Sequence, residues 1–122
     1  MMKQLLTVSA IFEFVVGIGL MVMPVAVTPL LLGYTIQEPA VIIICGVTGA
    51  ALMTIALACW LLRNGGTQAK LMVWVMLCYN LVAGLVLVYG ALGLKLSGMG
   101  MWPAIIAHIG LAAWCMLAAL KK

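Results

Sequence analysis

The sequence predicts an all-α integral membrane protein, a bundle of four transmembrane helices with both termini cytoplasmic. Three observations carry that expectation. Of the 122 residues, 68% are hydrophobic and 7% charged, against about 25% charged in an ordinary soluble domain. The apolar residues gather into four stretches, residues 5–23, 40–62, 71–92 and 102–120, each near the roughly 20 residues that cross a ~30 Å hydrocarbon core at 1.5 Å per residue. Five of the six basic residues fall on one side of the alternation these spans impose. A soluble fold is excluded, because a domain of about this length leaves roughly a third of its unfolded-chain surface exposed, and here lipid must cover it. The chain is read as a single four-helix transmembrane domain over residues 1–122.

Span one, residues 5–23, is apolar apart from Glu13, which interrupts the run "SAIFEFVVGIGLMVM" near its middle. It is read as a retained helix rather than a signal peptide, because "MVMPVAV" is a poor small-residue cleavage site and three further spans follow. The next segment, "PVAVTPLLLGYTIQEP", begins too apolar for a plain linker. It predicts a short helix or half-turn at the interface, bounded by Pro24 and Gly33 and partly closing the external end of the bundle. Span two, residues 40–62, carries Gly46, Gly49, Ala50 and Ala56, and span three, residues 71–92, adds Ala83, Gly84 and Gly90. These predict close helix contacts, since small side chains let backbones approach where no water drives association. The breaks "RNGGTQAK" and "GLKLSGMGM" concentrate helix-ending residues. Trp60, Trp74 and Trp102 sit near span ends, where indole rings anchor at the interface.

Lys3 precedes span one, Arg63 and Lys70 join spans two and three, and Lys121 and Lys122 follow span four; Lys95 and Glu38 fall on the other side. By the positive-inside rule the termini are cytoplasmic and the number of crossings is even. Scattered in this way, the net charge of +4 makes no basic face, so no nucleic-acid partner is expected.

Cys45, Cys59, Cys78 and Cys115 lie within spans without close spacing, which argues against a redox pair or a zinc site. Each is expected to act as a buried small hydrophobe, and the ten methionines as gap-fillers. No cofactor and no metal site is expected.

Glu13 lies about 12 Å from the cytoplasmic edge of the core by helical rise. A charged residue at that depth costs about 2.5 to 3.5 kcal/mol on insertion scales, so it should face the bundle or a wet cavity. Ser9, Glu13 and Gly17 recur every four residues and form one stripe. Tyr79 and Asn80 of span three reach a similar depth, roughly 12 to 14 Å, and either can donate a hydrogen bond to the carboxyl group. His108 of span four lies only roughly 9 Å below the external edge. The remaining axial gap to Glu13, on the order of 9 Å, is too long for a direct bond and suits one or two bridging waters. Glu13, Tyr79, Asn80 and His108 are therefore the candidate proton- or ligand-binding residues. A purely structural polar network is the competing reading.

The segments "LLLG" at 30–33, "GAALMTIALACW" at 49–60, "YN" at 79–80 and "WPAIIAHIGLAAWC" at 102–115 resemble a group of small four-span bacterial membrane proteins of uncharacterised function. That resemblance implies a multi-pass protein of the bacterial inner membrane and brings no activity. A weaker likeness is to the small multidrug resistance transporters, four-span chains with an essential glutamate in the first helix, matched here by Glu13 in "IFEFVVG". Span three lacks that family's glycine-rich packing pattern. The functional expectation is a proton- or cation-coupled transporter or channel using Glu13, acting on an unidentified small solute or ion. A four-helix bundle leaves little room for a pore, so a homo-oligomer is expected. The alternatives are an accessory or assembly protein of a membrane complex, in which polar residues fix helix register, and an intramembrane enzyme using His108 and Glu13 as acid and base. The enzyme reading ranks last because no nucleophile with an adjacent base is visible in the sequence.

Overall fold

A computed structural model describes residues 1–121 and shows five helices: α1 (Met2–Val22), α2 (Pro24–Leu32), α3 (Pro39–Leu62), α4 (Gly66–Leu92) and α5 (Met101–Leu120). Lys122, one of the basic residues placed after span four, lies outside the described residues. Four of the helices are long and apolar enough to cross a membrane. They begin earlier than their apolar runs. α1 starts at Met2 rather than at residue 5, and α4 starts at Gly66, inside the segment "RNGGTQAK" expected to be a break. Polar residues are compatible with a helix that extends beyond the hydrocarbon. The turn itself needs only Gly65 and Gly66, whose φ of 99° and 78° fall in the left-handed region that glycine adopts without a steric penalty.

α1 ends where Pro24 cannot continue it, and the same proline opens α2 at a first-turn position that needs no N–H. α2 closes at Gly33, whose φ of 69° forms a left-handed cap with its N–H donating to the Pro29 carbonyl at 2.9 Å. The short helix expected between Pro24 and Gly33 is thus present. It is stitched to the α4–α5 connection: the Gly100 N–H donates to the Leu30 carbonyl at 2.8 Å, and a Cβ on Gly98 would overlap the Leu31 backbone.

The long helices form two antiparallel pairs. α1 packs mainly on α3 and α4 mainly on α5, while contact between the pairs is sparser. The first pair is held by backbone proximity. A Cβ on Gly17 would meet the Gly49 carbonyl oxygen at 2.8 Å, and one on Gly49 would overlap the Gly17 carbonyl and the Met21 amide. Only part of the small-residue surface expected on span two is used in this way. Gly49 and Ala56 are buried, but Ala50 is exposed and nothing approaches within 4 Å of a Cβ built on Gly46. Smallness permits close packing without requiring it, and α3 leaves more of its surface open than the other long helices.

Lys3, Arg63, Lys70 and Lys121 all fall at one end of these pairs, hereafter the basic end, and Glu38 and Lys95 at the opposite end. Arg63 folds back over its own helix, its guanidinium carbon 3.4 Å from the centre of the Trp60 ring. Trp60, Trp74 and Trp102 are exposed on the outer surface. The main core lies toward the basic end, where Leu5, Leu6, Cys59, Val73, Met76 and Cys115 pack together.

Candidate functional site

Among the described residues five polar side chains are buried: Ser9, Glu13, Thr28, Asn80 and His108. Thr28 is accounted for within α2, where its hydroxyl donates to the Pro24 carbonyl at 2.8 Å. The other four lie on α1, α4 and α5.

Glu13 is 1% exposed. Its stripe on α1, running Leu6, Ser9, Ala10, Glu13, Gly17 and Leu20, is buried throughout, as helical periodicity requires of one face. The Tyr79 hydroxyl donates to Glu13 Oε2 at 3.0 Å. Glu13 Oε1 has no hydrogen-bond partner, and neither does Ser9 Oγ one turn away.

Asn80 does not reach Glu13. Consecutive residues of a helix point about 100° apart, so once Tyr79 faces α1, Asn80 is turned toward α5. Its side-chain nitrogen donates to the Met76 carbonyl at 2.7 Å, and its Oδ1 lies 2.9 Å from His108 Nδ1. The Met76 carbonyl fixes the orientation of the amide, so Oδ1 is the atom facing the imidazole. His108 must then donate from Nδ1, which in the neutral ring leaves Nε2 as the acceptor.

The expected depth gap between Glu13 and His108 is absent. The His108 ring packs edge-on against Phe12 and against Tyr79, both at 5.7 Å between ring centres. His108 therefore occupies the same layer as the residue preceding Glu13 and the residue bonded to it. A count from Trp102 places His108 too shallow, because it takes the start of α5 as the outer limit of the bundle, whereas α2 and residues 93–100 pack together at that end. Tyr79 stands between Glu13 and His108, its hydroxyl bonded to the first and its ring packed on the second.

Of the four predicted site residues, Glu13 and Tyr79 form one bonded pair and Asn80 and His108 another, the two joined by ring contact. Phe12 completes the layer, and Ser9 lies one turn from it on the same face of α1 as Glu13. Phe12 carries no polar group by which sequence reasoning would single it out, whereas the i, i+4 relation of Ser9 to Glu13 was visible.

Three grooves run along the surrounding surface. A groove of about 530 Å³ runs between α1 and α3 past Ala10, Phe14 and Trp60. A second, of about 380 Å³, runs between α4 and α5 with Asn80 and Gly84 in its wall. A third, of about 340 Å³, lies among α1, α2 and α5, with Phe12 and Ala104 in its wall. Glu13 lines none of the three. Cys78 is exposed on the outer face rather than buried as expected, while Cys59 and Cys115 are in the core and Cys45 is half-buried; all four are free thiols. Among the described residues, no three His, Cys, Asp or Glu side chains are grouped as a metal site would require.

No known protein family, characterised protein or solved structure matches this chain.

Proposed function

We propose that this protein is a small proton- or cation-coupled membrane transporter or channel whose coupling group is Glu13. The observation that carries the reading is the half-satisfied state of the carboxyl group: Oε2 accepts from Tyr79, while Oε1 is buried with no partner. The protein supplies a partner to Oε2 and none to Oε1, and because an unpaired buried group costs about 1 to 3 kcal/mol, Oε1 is left to take a proton, a small cation or a water. An unpaired carboxyl oxygen keeps the capacity to bind a proton or a small cation. Its position at the sparse contact between two tightly packed helix pairs supports coupling, since a change in the charge of Glu13 acts on the contact that has least else to hold it.

In this reading the chain spans the bacterial inner membrane with its basic end in the cytoplasm. A second copy supplies the remainder of the path, since one four-helix bundle leaves little room for a pore. The deciding experiment is proton-linked flux in reconstituted vesicles. Glu13→Gln keeps an acceptor for Tyr79 and should keep the fold, but should abolish the flux. Equal flux in the Gln variant would overturn the proposal.

The second reading is an accessory or assembly protein of a membrane complex. It draws support from the position of Glu13 outside the three grooves and from the complete bonding of Asn80. Under it, host cells carrying Glu13→Gln would grow like the parent, while Asn80→Leu would lower the amount of folded protein.

A further inference from the structure

Ser9 and Glu13 bear the two buried side-chain oxygens that lack a hydrogen-bond partner among the described residues. They are four residues apart on the buried face of α1, with Ser9 0% and Glu13 1% exposed. Side chains so spaced on a helix have Cβ atoms about 5 to 6 Å apart. The two oxygens on these neighbouring side chains do not bond each other, and a water that forms hydrogen bonds of about 2.7 Å to each can serve both. A buried water bonded to otherwise unsatisfied polar groups is an ordinary component of a folded protein.

The direction of this pair matters. From the layer of Glu13, Asn80 and His108 toward the basic end, Ser9 is the only buried polar side chain among the described residues. Beyond it the core is apolar, closed by Leu5, Leu6, Ala69 and Val73. The remaining titratable groups turned into this part of the bundle are Cys59 on α3, Tyr79 on α4, and Cys115 and His108 on α5. Tyr79 already donates to Oε2, and His108 is held by Asn80. The next oxygen for a proton leaving Oε1 toward the basic end is therefore that of Ser9.

We propose that one water molecule bridges Ser9 Oγ and Glu13 Oε1, making Ser9 the station through which the Glu13 carboxyl group exchanges its proton with the basic end of the bundle. The inference rests on the proton-coupled reading above. In the exchange, the O–H bond at Glu13 Oε1 breaks and the proton passes to the bridging water, which passes one of its own hydrogens to Ser9 Oγ. Ser9 Oγ in turn gives up its original hydroxyl hydrogen to an acceptor water on the side of the basic end. The carboxylate is left unprotonated, the bridging water and the hydroxyl are chemically unchanged, and one proton has moved. Ser9 acts through the water and is a positioning residue.

The test uses the full chain in lipid vesicles containing a pH-sensitive dye, with infrared spectra of the same preparations. The carboxyl bands of Glu13 are assigned by their loss in Glu13→Gln. Ser9→Ala is expected to shift those bands and to slow proton uptake under an imposed potential, and Ser9→Thr, which keeps the hydroxyl, is expected to restore both. Bands that coincide in Ser9→Ala and the parent would overturn the bridge, as would a Thr variant that behaves like the Ala variant, since packing rather than the hydroxyl would then be responsible. If Glu13→Gln takes up protons as fast as the parent, the proton-coupled reading fails, and the bridge is still judged by the bands alone.

Discussion

The hydrogen bond from Tyr79 to Glu13 Oε2, 3.0 Å long, is the one side-chain hydrogen bond among the described residues that ties the α1–α3 pair to the α4–α5 pair. Within each pair, other devices hold the helices: backbone contact at Gly17 and Gly49 in the first, and the Asn80–His108 bond in the second. The seam between the pairs thus depends on an acid–phenol contact together with the ring packing of Phe12 and Tyr79 on His108.

That dependence predicts a measurable coupling. Tyr79→Phe removes the one side-chain donor to Glu13 among the described residues while keeping the ring against His108, and Glu13→Leu removes the acceptor. Hydrogen bonds inside membranes contribute about 0.6 kcal/mol on average and up to about 1.7, so a double-mutant cycle between these positions should return a coupling in that range. Stability measured by denaturant unfolding in detergent suffices. A coupling indistinguishable from zero would show that the contact does not hold the seam. Glu13→Gln in place of Glu13→Leu should retain most of the stability.

The glycines separate packing from composition. Gly49→Ala puts a methyl group into the Gly17 carbonyl and the Met21 backbone, where neither neighbour is a flexible side-chain end. A cost of about 1 to 3 kcal/mol is expected, as for overpacked cores. Gly46→Ala on the same helix meets nothing within 4 Å, so it should be neutral or stabilise the helix by up to about 1 kcal/mol through propensity. Equal effects at the two positions, read from thermal unfolding in one detergent, would contradict the close approach of α1 and α3.

The long helices were legible because apolar runs of membrane-spanning length have few other uses, and α2 because Pro24 and Gly33 mark both of its ends. The layer occupied by Glu13 and Tyr79 was also legible, since both depths are counted from the same end of the bundle. His108 was not, because its count began from a helix start that lies beneath other chain segments. Nor did adjacency of Tyr79 and Asn80 reveal which of them faces α1: that is set by the rotation of α4, which follows from how Met72, Val73, Met76 and Leu77 pack and carries no mark in a span apolar on all sides. Gly46, which no neighbour approaches, and the exposed Ala50 failed as predictors for a related reason, since small residues record that a neighbour can approach and not that one does.

Orientation in the membrane is a separate prediction. With Lys3, Arg63, Lys70 and Lys121 at one end and Lys95 at the other, the positive-inside rule places the first group in the cytoplasm. Reporter fusions at the end of α5 and in the segment between Leu92 and Met101 should read on opposite sides of the membrane, the former inside. Moving the bias, by Arg63→Ser and Lys70→Ser with two lysines added beside Lys95, should weaken or invert the assignment. Fusions at the end of α5 that read equally on both sides in the parent would mean that the chain inserts in two orientations.

The tautomer of His108 offers a test of the second bonded pair. Asn80 donates to the Met76 carbonyl and so presents Oδ1, an acceptor, to His108 Nδ1. The neutral ring must carry its hydrogen on Nδ1, the opposite of the choice it would make if Nδ1 faced a donor. Nitrogen NMR of the labelled histidine distinguishes the two tautomers, and His108 is the only histidine in the chain, so no assignment is needed. The parent should show the Nδ1-protonated form. Asn80→Leu leaves that N–H buried beside an alkyl group, with a cost of about 1 to 3 kcal/mol for the unpaired donor, and should release the ring to the other tautomer or to a mixture. Asn80→Asp keeps the acceptor and should keep the Nδ1 form. An Nε2-protonated parent would mean that the amide is turned the other way, and with it the assignment of Asn80 as the residue that orients His108 against Tyr79.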